Sequence, residues 1–271
     1  MLAAITRGLH RQAEQRPWIL DDPFALILVG PTWPAMAEQL TTLFPERILR
    51  KTSAGIAMRS RFAEDRLTEG RFAQYVMLGA GLDSFVWRHP DLVRSLRIFE
   101  VDHPASQAWK RERIAELGLP TYDSHAFAAV DFEVESLRDG LDAAGFDWEQ
   151  PTLFSWLAVT PYLTVEAIEE TLRTLSSSAP GTEIAFSYLL AHELQDEDDR
   201  EFLSILKPLA ASSGEPLRSS FAPHEIDALI SRCGLQVADH PNRAELMRRY
   251  FAGRTDGLEP YGECFVRATV P

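Results

Sequence analysis

The residues with the most chemical promise lie between positions 75 and 102. Tyr75 to Leu78 (YVML) suit a buried strand and run straight into Gly79-Ala80-Gly81, with Asp83 two residues further on. Glycines at such a bend permit a tight turn and let a ligand approach bare backbone. Glu100 and Asp102 stand 21 and 23 residues after Gly79, at the end of the next apolar run. A carboxylate there can accept hydrogen bonds from both hydroxyls of a ribose, so the pair marks a nucleoside site. The third glycine of the dinucleotide fingerprint is replaced by Ser84, which weakens a nicotinamide reading. Asp83 adds a charge criterion: a carboxylate in the loop repels a pyrophosphate and tolerates a sulfonium or an ammonium. The charge pattern favours S-adenosylmethionine over NAD.

These residues need a scaffold of strands that all end on one edge. From Tyr75 onward, short apolar runs alternate with helix-like segments, as in a parallel sheet with crossover helices. The expected strands are 75–78, 96–101, 125–130, 151–159, 182–189, 235–238 and 263–270. The run PTLFSWLAV, residues 151–159, is apolar almost throughout and reads as a central strand covered on both faces. Pro104 suits the first turn of a helix that ends near Gly118. Thr164 suits the cap of the next, whose Val165, Ile168, Leu172 and Leu175 fall on one face. Residues 1–70 read as a helical N-terminal cap broken by prolines, and 71–271 as the catalytic domain. Within the latter, 190–220 is expected to be a lid insertion, with the acidic run Gln195–Arg200 as a solvated helix face. Pro223–Cys233 reads as a short helix closed by Gly234.

The chain has 271 residues, 45% of them hydrophobic, enough for one large α/β core. Its formal net charge of -13, without long Lys/Arg clusters, argues against a nucleic-acid partner. Two cysteines, Cys233 and Cys264, imply no disulfide framework, and no stretch reaches the length of a membrane span. A soluble, cytoplasmic protein with a small-molecule substrate and no metal is expected.

MRSRFAED, QYVMLGAGLDSFVWR, IFEVDHPASQAWK, AAVDF, LFSWLAVTPYLT, RYFAGRTDGL and ECFVRATV occur in that order. As a set they resemble the leucine carboxyl methyltransferase-like family of S-adenosylmethionine-dependent methyltransferases, in particular its bacterial branch with polyketide O-methyltransferases. The resemblance covers residues 50–190 well and the C-terminal end in outline. It implies a Rossmann-like class I methyltransferase fold with a mostly parallel seven-stranded sheet. It further implies that Arg59, or alternatively Arg61, binds the cofactor carboxylate. Gly79, Ala80 and Gly81 would form the cofactor loop, Asp102 beside Glu100 the ribose acid, and Asp131-Phe132 the adenine contact. Relatives often carry a glutamate where this chain has Ala158, which argues against a protein leucine carboxyl terminus as acceptor.

Methyl transfer from a sulfonium needs alignment more than activation of the leaving group, so a site without an obvious catalytic dyad is coherent. If the acceptor is a hydroxyl, a base would help. Among His89, His103 and His192, the last is the preferred candidate because it follows the fifth strand. Tyr188 is the second catalytic candidate, and Tyr162 and Tyr188 could both line the acceptor pocket. Trp87 and Trp109 read as core. Two alternatives stay open at this point: a cofactor-binding relative without catalytic activity, and an NAD(P)-dependent oxidoreductase.

Overall fold

The computed structural model describes residues 1–132 and 135–271. Seven strands form one sheet: β1 (Gln74–Leu78), β2 (Arg97–Asp102), β3 (His125–Ala129), β4 (Thr152–Trp156), β5 (Glu183–Leu189), β6 (Gln236–Asp239) and β7 (Glu263–Thr269). Their order is β3-β2-β1-β4-β5-β7-β6. β7 runs antiparallel to both its neighbours, β5 and β6, and the pairs among β1 to β5 are parallel. This is the Rossmann-like class I methyltransferase architecture that the resemblance implies. Strand order reverses beside β1, so the crevice at the carboxyl ends of β1 and β4 is where an open α/β sheet binds ligands.

Four helices precede the sheet: α1 (Leu2–Ala13), α2 (Ala25–Val29), α3 (Trp33–Leu43) and α4 (Glu46–Glu69). Short helices α5 (Phe85–Arg88) and α6 (Pro90–Ser95) connect β1 to β2, and α7 (Pro104–Leu117) connects β2 to β3. Then α8 (Leu137–Ala143) precedes β4 and α9 (Val165–Leu175) precedes β5. Helices α10 (Glu197–Ser212) and α11 (Pro223–Arg232) lead to β6, and α12 (Arg243–Tyr250) leads to β7. No described helix is long and apolar enough to cross a membrane.

Alternation along the strands divides the core. Val76, Phe99 and Phe154 are in register on β1, β2 and β4, and they share one cluster with Ile168 and Leu172 of α9 and Ile226 and Leu229 of α11. Tyr75, Ile98 and Leu153 face the opposite way, with Ala57, Met58 and Phe62 of α4. Every residue of β1, β4 and β5 is buried, as expected of strands covered on both faces. Helix α4 is therefore part of the sheet's covering as well as of the N-terminal segment.

Local signals set the ends of elements. Thr164 caps α9 by accepting from the Ala167 N–H, and Gly118 closes α7 at φ +60°. Val165 is the exception on α9: it is 40% exposed while Ile168, Leu172 and Leu175 are fully buried, because it sits at the cap before the packed stripe begins. The acidic run before α10 also differs from expectation. Asp196 caps α10 through the Asp199 N–H, but Gln195 and Asp199 are buried. Gln195 donates to the Leu190 carbonyl, and Asp199 accepts from the Gly262 N–H at 2.8 Å. Phe202 of α10 stacks on Phe44, which ties this segment to α1 and α3.

Candidate functional site

The glycine loop is stretched between two strand ends. Gly79 and Gly81 take φ of +73° and +49°, the left-handed region that disfavours side chains. A Cβ on Gly79 would lie 2.4 Å from Val159 Cγ2, so the loop also presses on the segment after β4. The Gly79 and Ala80 N–H groups donate to the Val101 carbonyl at 2.8 and 3.1 Å. The Gly81 N–H donates to the Asp102 carboxylate, which also accepts from the His103 N–H. Asp102 thus stands at the carboxyl edge against the loop. It does not cap α7; His103 does, through Nδ1.

Behind the loop lies a buried ion network. Ser84, at the place of the missing third glycine, donates to Asp22 Oδ2 at 2.6 Å and accepts from Arg88 Nε at 2.9 Å. Arg7 of α1 pairs with Asp22 and donates to the Leu82 carbonyl at 2.7 Å. Arg88 grips Glu64 of α4 through both terminal nitrogens, and His89 adds a contact at 2.9 Å. Burial pushes the Glu64 carboxyl up, but the Arg88 charge and hydrogen bonds outweigh it and hold the group below the usual carboxylate range. Asp83 belongs to the same set. Its Oδ1 accepts from the Phe85 N–H at 2.7 Å and lies 3.5 Å from Arg88. Against the effect of burial, Arg7, Arg88 and Lys110 lower its pKa. The cations beside Asp83 are therefore the chain's own.

Glu100 and Asp102 share a strand face but have different surroundings. Glu100 is 1% exposed, ion-paired with Lys110 of α7 and 3.2 Å from His125 Nε2. Burial raises the Glu100 carboxyl, and the Lys110 charge, together with His125 and the hydrogen bonds from both, more than reverses that. Asp131 follows β3 on the same edge, with His103 Nε2 3.7 Å from its carboxylate, and Phe132 packs on the core. Asp131 does not cap α8; Ser136 does.

A cavity of about 270 Å³ opens over the carboxyl ends of β4 and β5, lined among others by Arg59, Ala158, Tyr162, Leu189, Tyr261 and Glu263. Arg59 reaches Glu263 at 3.2 Å. Arg61, two residues on, leaves this face and pairs with Asp65 while donating to the Ile19 carbonyl. Ala158 holds φ +57°, a strained conformation for a residue with a Cβ, and its N–H donates to Ser187 Oγ at 2.7 Å. No carboxylate stands at position 158, yet Glu263 brings one into the same cavity from β7.

A second cavity of about 580 Å³ adjoins the first, sharing Tyr261 and Glu263. Tyr188 lines it, with its hydroxyl 2.7 Å from His240 Nε2, and His240 Nδ1 lies 2.6 Å from Asp227 Oδ1. The preferred histidine of the sequence reading, His192, is exposed on a single 3-10 turn and lines neither cavity. His240 was missed because it lies in a polar stretch, DHPN, with no motif around it. Its one signal was its place just past a strand of the same sheet.

The model of the family described as leucine carboxyl methyltransferase matches residues 1–176. A Bacillus subtilis protein named "Putative S-adenosyl-L-methionine-dependent methyltransferase YktD" is 35% identical over 189 residues, covering 69% of this chain and 62% of that protein. The like-named FRAAL5401 of Frankia alni is 33% identical over 261 residues, covering 88% and 82%. In fold, the chain is similar to the crystal structure of a DUF574 family protein of Streptomyces avermitilis, with TM-score 0.61, 14% identity and coverage of 100% and 97%. The glycine loop of β1 and the acid of β2 are thus carried by a chain that belongs to the leucine carboxyl methyltransferase family of S-adenosylmethionine-dependent methyltransferases.

Proposed function

We propose that this chain moves the methyl group of S-adenosylmethionine onto an oxygen of a small metabolite, with a polyketide-like acceptor as the class to try first. The observation that carries the reading is the carboxyl-edge arrangement of Gly79, Gly81 and Asp102 beside a cavity that contains Arg59. In this reading the Gly79-Ala80-Gly81 backbone lies against the cofactor and Asp102 accepts from the ribose hydroxyls. Asp131 and Phe132 receive the adenine. Arg59, rather than Arg61, takes the cofactor carboxylate, exchanging its contact with Glu263 for a new one. Glu100 supports the loop from within the core through Lys110, and Asp83 does so through Arg88. The lid role of 190–220 and the division at residue 70 belong to the same proposal.

The cofactor supplies an electrophilic methyl group on a good leaving group. What remains for the protein is to orient the acceptor and exclude water, and orientation alone can lower such a barrier by roughly 7–11 kcal/mol. Glu263 answers the concern that Ala158 leaves the cavity without a carboxylate, and so supports an active enzyme over a silent relative.

The test is calorimetric titration with S-adenosylhomocysteine and, separately, NAD. We expect saturable binding of the first alone. Asp102→Ala removes a charged acceptor from both the ribose and the Gly81 N–H, and affinity should fall by about 10- to 100-fold, as for a charge-assisted bond worth about 1.5–3 kcal/mol. Unchanged affinity in that variant would move the ribose site elsewhere.

A further inference from the structure

The larger cavity, over the carboxyl ends of β5 and β6 and the start of β7, contains a hydrogen-bonded chain that the cofactor reading does not use. Asp227 is 47% exposed at its side chain and His240 13%, while Tyr188 is 1% exposed as a residue. The chain therefore runs from solvent inward. A carboxylate can only accept, so the 2.6 Å contact with Asp227 places a proton on His240 Nδ1. In the neutral ring, Nε2 is then an acceptor, and Tyr188 donates its hydroxyl proton to it at 2.7 Å. The tyrosine oxygen keeps lone pairs for a further donor. Such an arrangement receives a proton from a hydroxyl and passes it outward; it has no donor left for an anion.

The charges around the cavity agree. Asp196, Asp199, Asp227 and Glu263 line it, against one arginine, Arg243. That arginine is committed to Asp196 at 2.7 Å and to the Pro260 carbonyl. Glu263 is met by Arg59, whereas the Asp199 carboxylate accepts from the Gly262 N–H, and the Asp199 N–H donates to Asp196. The rest of the wall is largely apolar, including Met58, Leu190, Leu246 and Pro260. An anionic guest would face uncompensated carboxylates in a partly dehydrated space, where like charges cost most.

We propose that this cavity is the acceptor pocket, that it selects a neutral or cationic hydroxyl compound such as a phenol over a carboxylic acid, and that Tyr188 and His240 take the hydroxyl proton. The inference rests on the methyltransferase reading above and narrows it from carboxylate-or-hydroxyl to hydroxyl. The acceptor O–H bond breaks as the O–CH3 bond forms. The acceptor proton goes to the Tyr188 oxygen while the Tyr188 proton goes to His240 Nε2. Asp227 balances the imidazolium, and the proton leaves to solvent after the methylated product. The methyl would come from the sulfonium, whose S–CH3 bond would break with its electron pair kept on the sulfur of S-adenosylhomocysteine, so no further reactant is required.

The probes are three phenols of different charge: phenol, tyramine and 4-hydroxybenzoate. Each is titrated into the full chain saturated with S-adenosylhomocysteine, and the Nε2 signal of His240 is followed by NMR with 15N-labelled histidine, assigned with His240→Gln. We expect phenol and tyramine to shift that signal, and 4-hydroxybenzoate to bind at least about tenfold more weakly. Tyr188→Phe should abolish the His240 response while S-adenosylhomocysteine affinity stays as in the parent, which reports that the variant is folded. Equal or tighter binding of the acid, or a silent His240 in cofactor-loaded protein, would overturn the acceptor pocket and leave the cofactor reading standing. Failure of S-adenosylhomocysteine to bind would overturn both.

Discussion

Arg59 and Arg61 show how far two residues of a helix separate in role. They are two positions apart on α4, so their side chains leave the helix about 200° apart. Arg59 turns toward the cavity and Glu263; Arg61 turns toward Asp65 and the Ile19 carbonyl. Arg59→Ala should weaken S-adenosylhomocysteine binding by about tenfold or more, the scale of one charge-assisted contact. Arg61→Ala should leave binding unchanged and cost at most about 1 kcal/mol of stability, as expected for a surface ion pair. Calorimetry on both variants separates them; a larger binding loss in Arg61→Ala would reverse the assignment. Spacing alone could not choose between these arginines, because both lie in one motif and only packing decides which way each faces.

At the scale of elements, the glycine loop depends on α1, α4 and α5 as much as on its own glycines. Ser84 joins Asp22 to Arg88, and Arg7 joins Asp22 to the Leu82 carbonyl. Ser84→Gly would complete the sequence fingerprint but strip a buried hydroxyl from two charged partners. We expect a loss of about 1–3 kcal/mol in urea unfolding, the cost of buried groups left short of a partner, and no gain in NAD affinity. A neutral or stabilising outcome would mean that the network does not hold the loop. The sequence showed the missing glycine; what occupies its place became readable only with Asp22 and Arg88 beside it. Elements with strong local signals, such as α7 and α9, were legible in outline. The short helices α5, α6 and α12 were not, because their ends are set by packing around the strands.

The same N-terminal helix makes the whole molecule sensitive to acid. His10 of α1 is fully buried, and its Nε2 accepts from the Ile19 N–H at 3.0 Å, which requires the unprotonated ring. Burial, helped by the Arg254 charge and opposed by Glu14, lowers its pKa to about 4 from 6.5. A histidine depressed in the folded state contributes its full stability above the unfolded value. That contribution is lost as pH falls from about 6.5 toward 4, by up to about 3 kcal/mol. Denaturant unfolding at pH 7.5 and pH 5 should show part of this loss, and His10→Gln should flatten it. An unaltered pH slope in the variant would place the acid sensitivity elsewhere.

By itself, the sequence determined the parts that rest on near neighbours along the chain. The glycine turn after a strand, the acid 23 residues on, the alternation of strands and helices, the proline in the first turn of α7 and the threonine cap of α9 are all written in local order. So was the family, because its motifs are short and ordered. The tertiary structure decided whatever depends on residues far apart in the chain. It turned Glu100 and Asp83 to partners inside the protein, brought Glu263 of β7 opposite Arg59 of α4, and joined Tyr188 of β5, Asp227 of α11 and His240 just past β6. The physical reason is that ion pairs and hydrogen-bonded chains are selected by distance and burial in space, and sequence spacing encodes these only within a turn or a single strand.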